Sequence, residues 1–225
     1  MTVAAAARGG ERARWSAAPI ATAAATMLTL LGISVGLFFN PAWVAFEQDR
    51  SRADLWTGYP PQTVHAVTTS VVAEVFLGPG SFAQTAAGAP VFNARERAHM
   101  ADVRRIVAAF ALLVLAGILI LLLGGIRWRT RPWFWNSVAR GAAALAVGAV
   151  VLGAAFAFAF DQAFTLFHEI LFPAGTWTFD PAADRLVQFF PDQFWTETSA
   201  AIAVVGLAVT VGTWAVARRM ARGPA

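Results

Sequence analysis

The sequence predicts an all-α integral membrane protein with four transmembrane helices and a small external cap of amphipathic segments. The chain is 58% hydrophobic and only 13% charged, which is far from the composition of a soluble globular domain. Four apolar runs are each close to the roughly 20 residues that an α-helix needs to cross a bilayer. These runs cover residues 20–39, 106–126, 141–160 and 200–216.

Arginine indicates how the spans are oriented, because the chain contains no lysine. Four spans place both termini on one side, which carries ten arginines and one acidic residue, whereas the opposite side carries seven arginines and twelve acids. The positive-inside rule therefore predicts cytoplasmic termini, with residues 1–19 as a disordered tail and residues 218–225 as a second tail. Because the basic residues flank spans and form no soluble domain, they do not indicate nucleic-acid binding.

Two segments, residues 40–105 and 161–198, are then external, and they are too long to be simple connectors. Their many aromatic side chains suit the lipid headgroup zone. Because the chain contains no cysteine, no disulfide can stabilise these external segments. Residues 63–77 predict an amphipathic helix, because four valines recur there at helical spacing. A further helix is expected to begin near Asn93 and to run through His99 into the second span.

A histidine and nearby acidic residues lie at the membrane boundary of each of two helices. On the first helix, Glu96, His99 and Asp102 are three residues apart and share a face. The third span is expected to continue as a helix past residue 160. The residues that share one face of this extension are Asp161, Thr165 and His168. Ionisable groups near membrane depth are costly and by default indicate a function.

The topology places His99 and His168 on the same external side of the membrane. Imidazole is the one side chain whose ordinary pKa allows it to take and return a proton near neutral pH. We expect the two rings to lie on the order of 3–8 Å apart and to form an acid–base site.

Simpler interpretations remain open for these residues. Either histidine alone could be an amphipathic anchor, and His65 is expected to be solvated or structural. Arg104 and Arg105 are either topology signals or contacts to lipid phosphate and nearby acids. A metal held by both membrane-boundary histidines and a carboxylate is chemically possible, but no compact motif such as His-Glu-x-x-His supports it, so no metal is expected.

Two parts of the chain match motifs of a known family. Residues Arg95–Arg104 contain the pattern Glu-x-x-His-Met-x-Asp-Val followed by a basic residue. Residues Phe164–Trp195 contain Phe-Thr-Leu-Phe-His-Glu-Ile-Leu-Phe, then Trp-Thr-Phe-Asp-Pro and Phe-Phe-Pro-Asp-Gln-Phe-Trp. With four spans and two external segments, nearly the whole chain resembles the bacterial lipoprotein intramolecular transacylase family.

The resemblance implies an acyl shift within one molecule, a diacylglyceryl lipoprotein of the bacterial cytoplasmic membrane. The acyl chain moves from the glycerol sn-2 oxygen to the free α-amino group of the lipidated cysteine. Lipoproteins and membrane lipids are the expected partners. Because the acceptor amine belongs to the same molecule, neither an enzyme nucleophile nor a cofactor is needed, which agrees with a chain without cysteine or lysine.

In this chemistry the expected catalytic residues are His99, His168, Asp102 and Asp161. We expect His168, in the drier pocket, to be the base that takes the amine proton. We expect His99, beside Glu96 and Asp102, to be the better-stabilised cation, which returns the proton or stabilises the oxyanion. The residues expected to contact the substrate are Glu96, Arg104, Arg105, Thr165, Phe167, Trp177 and Asp180.

Two other classes of function fit the same sequence. One is a non-enzymatic accessory or scaffold protein with a lipid-facing cap. The other is a different lipid acyltransferase or hydrolase that uses the same histidines. A transporter is disfavoured, because no span carries a charge at its centre and none is broken by proline.

Overall fold

The computed structural model describes residues 17–222, which form a bundle of long helices with shorter elements gathered at one end. The helices are α1 (Ala17–Gly36), α2 (Pro41–Arg50), α3 (Ala53–Thr57), α4 (Pro61–Phe76), α5 (Ala94–Trp128), α6 (Pro132–Phe158), α7 (Phe160–Leu171), α8 (Arg185–Phe189) and α9 (Asp192–Arg222). Two short antiparallel strands, β1 (Thr85–Ala86) and β2 (Ala89–Pro90), lie between α4 and α5.

Four helices, α1, α5, α6 and α9, are long and apolar enough to cross a membrane. The predicted all-α membrane fold is therefore confirmed. Helices α5 and α9 begin well before their predicted spans, because polar first turns project beyond the apolar stretches. Helix α1 ends before the predicted residue 39, since Asn40 caps the next helix. The tails were predicted for residues 1–19 and 218–225, but residues 17–19 belong to α1 and residues 218–222 belong to α9. The remaining residues of both tails lie outside the described residues.

Small residues allow α1 to pack closely within the bundle. A Cβ atom at Gly141 of α6 would overlap the carbonyl oxygen of Ala23, and one at Gly32 would lie 2.6 Å from Val114 of α5. Close helix packing through small residues is typical of membrane interfaces, where lipid supplies no hydrophobic driving force between helices. The glycines therefore set how closely the three helices approach each other.

The cap has a separate hydrophobic core beside the bundle. The four valines of α4 that recur at helical spacing are all buried, so the predicted amphipathic helix is confirmed. They pack with Phe82, Phe92 and Phe189 from the segments on either side of α5. Two regions far apart in sequence, residues 41–93 and 185–190, thus form one structure above the bundle.

The sequence predicted that the third span continues into the external segment as one helix. This prediction is wrong, because the helix is interrupted at Ala159. Ala159 adopts φ −147° and ψ 52°, outside the helical region, and separates α6 from α7. Helix α7 exposes Leu166, Phe167 and Ile170 but buries His168. A helix with one apolar exposed face suits the membrane interface better than the bilayer interior.

Candidate active site

His99 and His168 meet at the end of the bundle that carries the cap. Their ring centroids lie 6.1 Å apart with the planes inclined by 27°, within the range expected from the sequence. Only 7% of His99 and 8% of His168 is exposed. His99 follows the first turn of α5, and His168 lies in the last turn of α7. Sequence elements 69 residues apart therefore contribute one buried pair of imidazoles.

The first turn of α5 is fixed by a capping box, which sets the position of His99. The Asn93 side chain accepts from the backbone N–H of Glu96 at 3.0 Å, and the Glu96 carboxylate accepts from the backbone N–H of Asn93 at 2.7 Å. This reciprocal pair satisfies two backbone donors at the start of the helix. His99 then lies one turn further along, on the same face as Glu96.

Aromatic side chains cover both imidazoles. The ring of His99 contacts Phe172 at 4.7 Å and Phe179 at 5.4 Å between centroids. The ring of His168 contacts Phe164 at 4.0 Å and Trp177 at 5.0 Å. The histidines therefore lie in an apolar environment, where proton transfers and developing charges are poorly screened by water.

A backbone contact defines the protonation of His168. Its Nδ1 atom lies 2.8 Å from the carbonyl oxygen of Phe164. A carbonyl oxygen only accepts hydrogen bonds, so Nδ1 must carry the hydrogen. In the neutral ring, Nε2 is then the nitrogen with the free lone pair. The geometry thus leaves one defined atom of His168 able to take a proton.

Both histidines lie outside the apolar stretches that span the membrane, and burial lowers the pKa of each. For His99 the neighbouring His168 lowers the pKa further, and Asp102 raises it less. For His168 the hydrogen bond to Phe164 opposes the effect of burial. Burial therefore favours the neutral form of both rings, which is opposite to the stabilised cation expected for His99.

Two buried polar atoms at the site have no hydrogen-bond partner among residues 17–222. They are Nδ1 of His99 and the indole Nε1 of Trp177. Buried donors and acceptors without a partner are uncommon in folded proteins, so each one indicates a functional or structural cause.

The acidic residues expected beside the histidines have other contacts. Asp102 pairs with Arg105 one turn along α5, so its carboxylate is shared with a cation and raises the pKa of His99 only weakly. Asp161 lies exposed in the first turn of α7, two turns before His168. Neither carboxylate forms a hydrogen bond to a histidine among the described residues.

Glu96 is buried and connects α5 to the segment that follows α7. Its second carboxylate oxygen accepts from the backbone N–H of Leu186 at 2.5 Å. Both oxygens are therefore occupied by backbone donors, although the sequence suggested a contact to substrate. Asp180, also expected at the substrate, donates its own backbone N–H to Asp184 at 2.8 Å and caps the N–H of Ala182 with its side chain.

Asp184 is a site residue that sequence reasoning did not select. It is 4% exposed and accepts from Arg95 at 2.6 Å and from the Asn93 side chain at 3.0 Å. Arg95 also lies 5.0 Å from the ring centroid of Phe179, which covers His99. A single aspartate in a loop has no local pattern that indicates its partners, so the sequence did not mark Asp184.

The remaining expected substrate contacts lie around this centre. Arg104 donates to the backbone carbonyls of Glu74 and Gly78, so it holds the end of α4. Thr165 is exposed on α7, and Phe167 is half-exposed with its ring 5.2 Å from His168. No group of three or more metal-ligating side chains occurs in the described part of the chain.

The four-helix bundle and the covered imidazoles define a multi-pass membrane protein with a buried histidine pair at one end of its bundle. The family model for the lipoprotein intramolecular transacylase Lit matches residues 20–195. The chain belongs to this family, and it is therefore a membrane-bound acyltransferase. No curated protein matches the sequence significantly.

Solved structures show the same fold. The membrane-integral lipoprotein intramolecular transacylase Lit from Bacillus cereus superposes with a TM-score of 0.75 at 18% identity, over 92% of this chain and 95% of the other. Two variants of that protein, in which one histidine is replaced by arginine or alanine, superpose with a TM-score of 0.71, also at 18% identity. They cover 92% of this chain and 91% and 93% of their own.

Proposed function

We propose that the chain moves an acyl chain within a diacylglyceryl lipoprotein, from the glycerol sn-2 oxygen to the α-amino group of the N-terminal cysteine, with His99 and His168 as the acid–base pair. The observation that carries this proposal is the approach of the two buried rings to 6.1 Å. A separation of this size accommodates a reacting group in contact with both imidazoles.

The bond changes balance without an enzyme nucleophile. The amine nitrogen attacks the ester carbonyl carbon, a C–N bond forms, and the carbonyl oxygen becomes an oxyanion. Nε2 of His168 accepts the proton that the nitrogen loses, since Nδ1 is committed to Phe164. The C–O bond to glycerol then breaks, and the proton returns to the glycerol oxygen, leaving an amide and a free hydroxyl.

His99 completes the proton path. Its ring faces that of His168, and burial with the repulsion between the rings holds its pKa low. A weakly basic imidazole that has gained a proton gives it up readily, which suits return of the proton to an alkoxide. We assign this donor role to His99, which receives the proton from Nε2 of His168 and passes it to the glycerol oxygen, with Asp102 acting on His99 only through its charge.

We further propose that both termini lie in the cytoplasm and that the site faces outward. The cap lies at the same end of the bundle as the histidines, and the arginine-rich ends of the spans lie at the opposite end. Because the chain contains no cysteine, single cysteines at exposed positions report sidedness directly. In intact cells an impermeant maleimide should label Ser81→Cys, and Thr130→Cys only after permeabilisation.

The test of the chemistry uses matched histidine variants. His168→Asn keeps a donor toward the Phe164 carbonyl but removes the basic Nε2 atom, and His99→Ala removes the second ring. His65→Ala is the control, because His65 lies on the cap and pairs with Asp49 at 2.9 Å. Each purified variant receives a diacylglyceryl lipopeptide, and mass spectrometry quantifies the N-acyl, lyso-glyceryl product.

The outcomes separate the possible functions. Loss of product in both site variants, with full activity of His65→Ala, supports the proposal. A free fatty acid in place of the N-acyl product would identify a hydrolase that uses the same site. Unchanged product formation in His168→Asn would refute the histidine pair as the acid–base centre.

A further inference from the structure

Trp177 differs from Trp43 and Trp135, which are also half-buried, in its indole N–H group. Trp43 donates to the Thr198 hydroxyl at 3.2 Å, and Trp135 donates to the Arg129 carbonyl at 2.6 Å. The Nε1 atom of Trp177 is buried and has no acceptor among residues 17–222. Keeping a buried donor unpaired is unfavourable, and such a group is retained where a partner arrives during function.

The indole lies directly against the base of the proposed reaction. Its ring centroid is 5.0 Å from that of His168, with the planes inclined by 32°. The carbon attacked by the substrate nitrogen must lie beside Nε2 of His168, so the carbonyl oxygen on that carbon lies within reach of the same aromatic cluster. A donor that is already present there needs no reorganisation when charge develops.

The segment that carries Trp177 is fixed at both ends. On one side, Thr176 closes a turn onto the carbonyl of Pro173, with its hydroxyl at 2.8 Å. On the other side, Asp184 is held by Arg95 and by the backbone of Asp180. The indole is therefore positioned by the fold, as a preorganised electrostatic contact requires.

We propose that the indole N–H of Trp177 donates a hydrogen bond to the oxyanion of the tetrahedral intermediate. This inference rests on the proposed acyl transfer. When the amine nitrogen bonds to the ester carbon, the carbonyl electron pair moves onto oxygen, and that oxygen accepts from Nε1. When the C–O bond to glycerol breaks, the pair returns to re-form the carbonyl of the amide, and no proton leaves Trp177.

Trp177→Phe tests this role, because phenylalanine keeps an aromatic ring but has no N–H group. We expect kcat to fall on the order of 10²-fold with little change in KM, as for removal of one oxyanion donor in other enzymes. Trp56→Phe is the control, because Trp56 is 52% exposed on the cap. Its kcat and KM should match those of the unsubstituted protein.

A second variant keeps the test decisive if the smaller ring disturbs folding. Replacement of Trp177 by benzothienylalanine substitutes sulfur for the N–H group at nearly constant shape, so a fall in kcat reports the donor alone. Full kcat in this variant, or a rise in KM without a change in kcat, would overturn the oxyanion role and leave Trp177 as an apolar wall. His168→Asn is assayed in parallel, and activity in that variant would refute the acid–base proposal instead.

Discussion

The guanidinium of Arg95 and the carboxylate of Asp184 lie 2.6 Å apart and connect the helix that carries His99 to the segment that covers it. The same guanidinium lies over Phe179, whose ring packs on His99. Asp184 is almost fully buried, whereas half of the Arg95 side chain is exposed. The pair therefore acts on the site through position, because neither charge contacts a histidine in the described structure.

Asp184→Asn should destabilise the contact between α5 and the segment that covers His99. The amide loses the charge that binds Arg95, and its NH₂ group replaces an oxygen that accepts hydrogen bonds. We expect the free energy of unfolding to fall by about 1–3 kcal/mol, as for a hydrogen bond to a buried charged group. Thermal unfolding in detergent measures this change, and Asp54→Asn on the cap surface is the control. Equal melting temperatures for the two variants would contradict the proposed connection.

Acid should weaken the same connection. Burial by itself would raise the pKa of Asp184, but hydrogen bonds from the Asp180 backbone and from Asn93, with the charge of Arg95, outweigh burial and hold the pKa below its usual range. A carboxylate whose folded-state pKa is depressed contributes stability above its unfolded pKa of about 3.9. That contribution is lost as the pH falls through the lower folded-state value. Asp184→Asn should therefore flatten the acid limb of stability, measured by unfolding at a series of pH values.

Gly141→Ala should disturb the bundle, whereas Gly148→Ala on the same helix should not. A Cβ atom at Gly141 overlaps the Ala23 carbonyl oxygen, and one at Gly148 meets no atom of residues 17–222 within 4 Å. Forcing backbones apart costs about 1–3 kcal/mol. Alanine at the open position instead gains up to about 1 kcal/mol in helix propensity. Unfolding of the two variants in parallel gives the difference, and equal stability would show that α1 and α6 separate freely.

Hydropathy and local capping patterns were sufficient to predict much of this structure. The four apolar runs predicted the bundle, and Asn93 predicted where α5 begins. Two spans lie between His99 and His168, so the chain crosses the membrane twice and both rings were predicted on one side. Their centroids lie 6.1 Å apart. These features depend on short-range patterns in the sequence, or on the rule that successive spans place the loops on alternating sides of the membrane.

Other features depend on tertiary contacts and left no local pattern. The break at Ala159 occurs without proline or glycine, so the sequence around it reads as a continuous helix. Glu96 appeared available to substrate, but the distant backbone of Leu186 occupies it. That the Trp177 indole N–H has no partner among the described residues is likewise a property of the packed structure.

Asp102→Asn should reduce turnover much less than His99→Ala. The Asp102 carboxylate pairs with Arg105, and its charge only partly offsets the effect of burial on the pKa of His99. Removing a general acid or base costs on the order of 10²–10⁴-fold. Removing one distant charge should cost less than about tenfold. Initial rates of N-acyl product formation compare the two variants, and equal losses would place Asp102 in direct contact with the reacting groups.

The pH dependence of turnover should follow the substrate amine and not the histidines. Burial lowers the pKa of both His99 and His168, so the neutral rings persist below their ordinary value of about 6.5. The α-amino group of the substrate has an ordinary pKa of about 7.7–8.0 and attacks only when neutral. We therefore expect kcat/KM for a diacylglyceryl lipopeptide to rise about tenfold per pH unit up to about pH 7.5 and then to level off.

The slope of kcat/KM against pH below about pH 7.5 distinguishes two mechanisms. If catalysis also required one histidine to be cationic in the free enzyme, loss of its proton above its lowered pKa would cancel the gain in neutral amine. In that case kcat/KM would stay flat up to about pH 7.5 and fall above it. Initial rates across about pH 5 to 9 in constant ionic strength measure the profile, and an N-terminal residue with a less basic amine should move the upper inflection downward. A kcat/KM that stays flat between about pH 6.5 and 7.5 and falls above about pH 8 would show that a protonated imidazole begins the reaction, contrary to two neutral rings in a dry site.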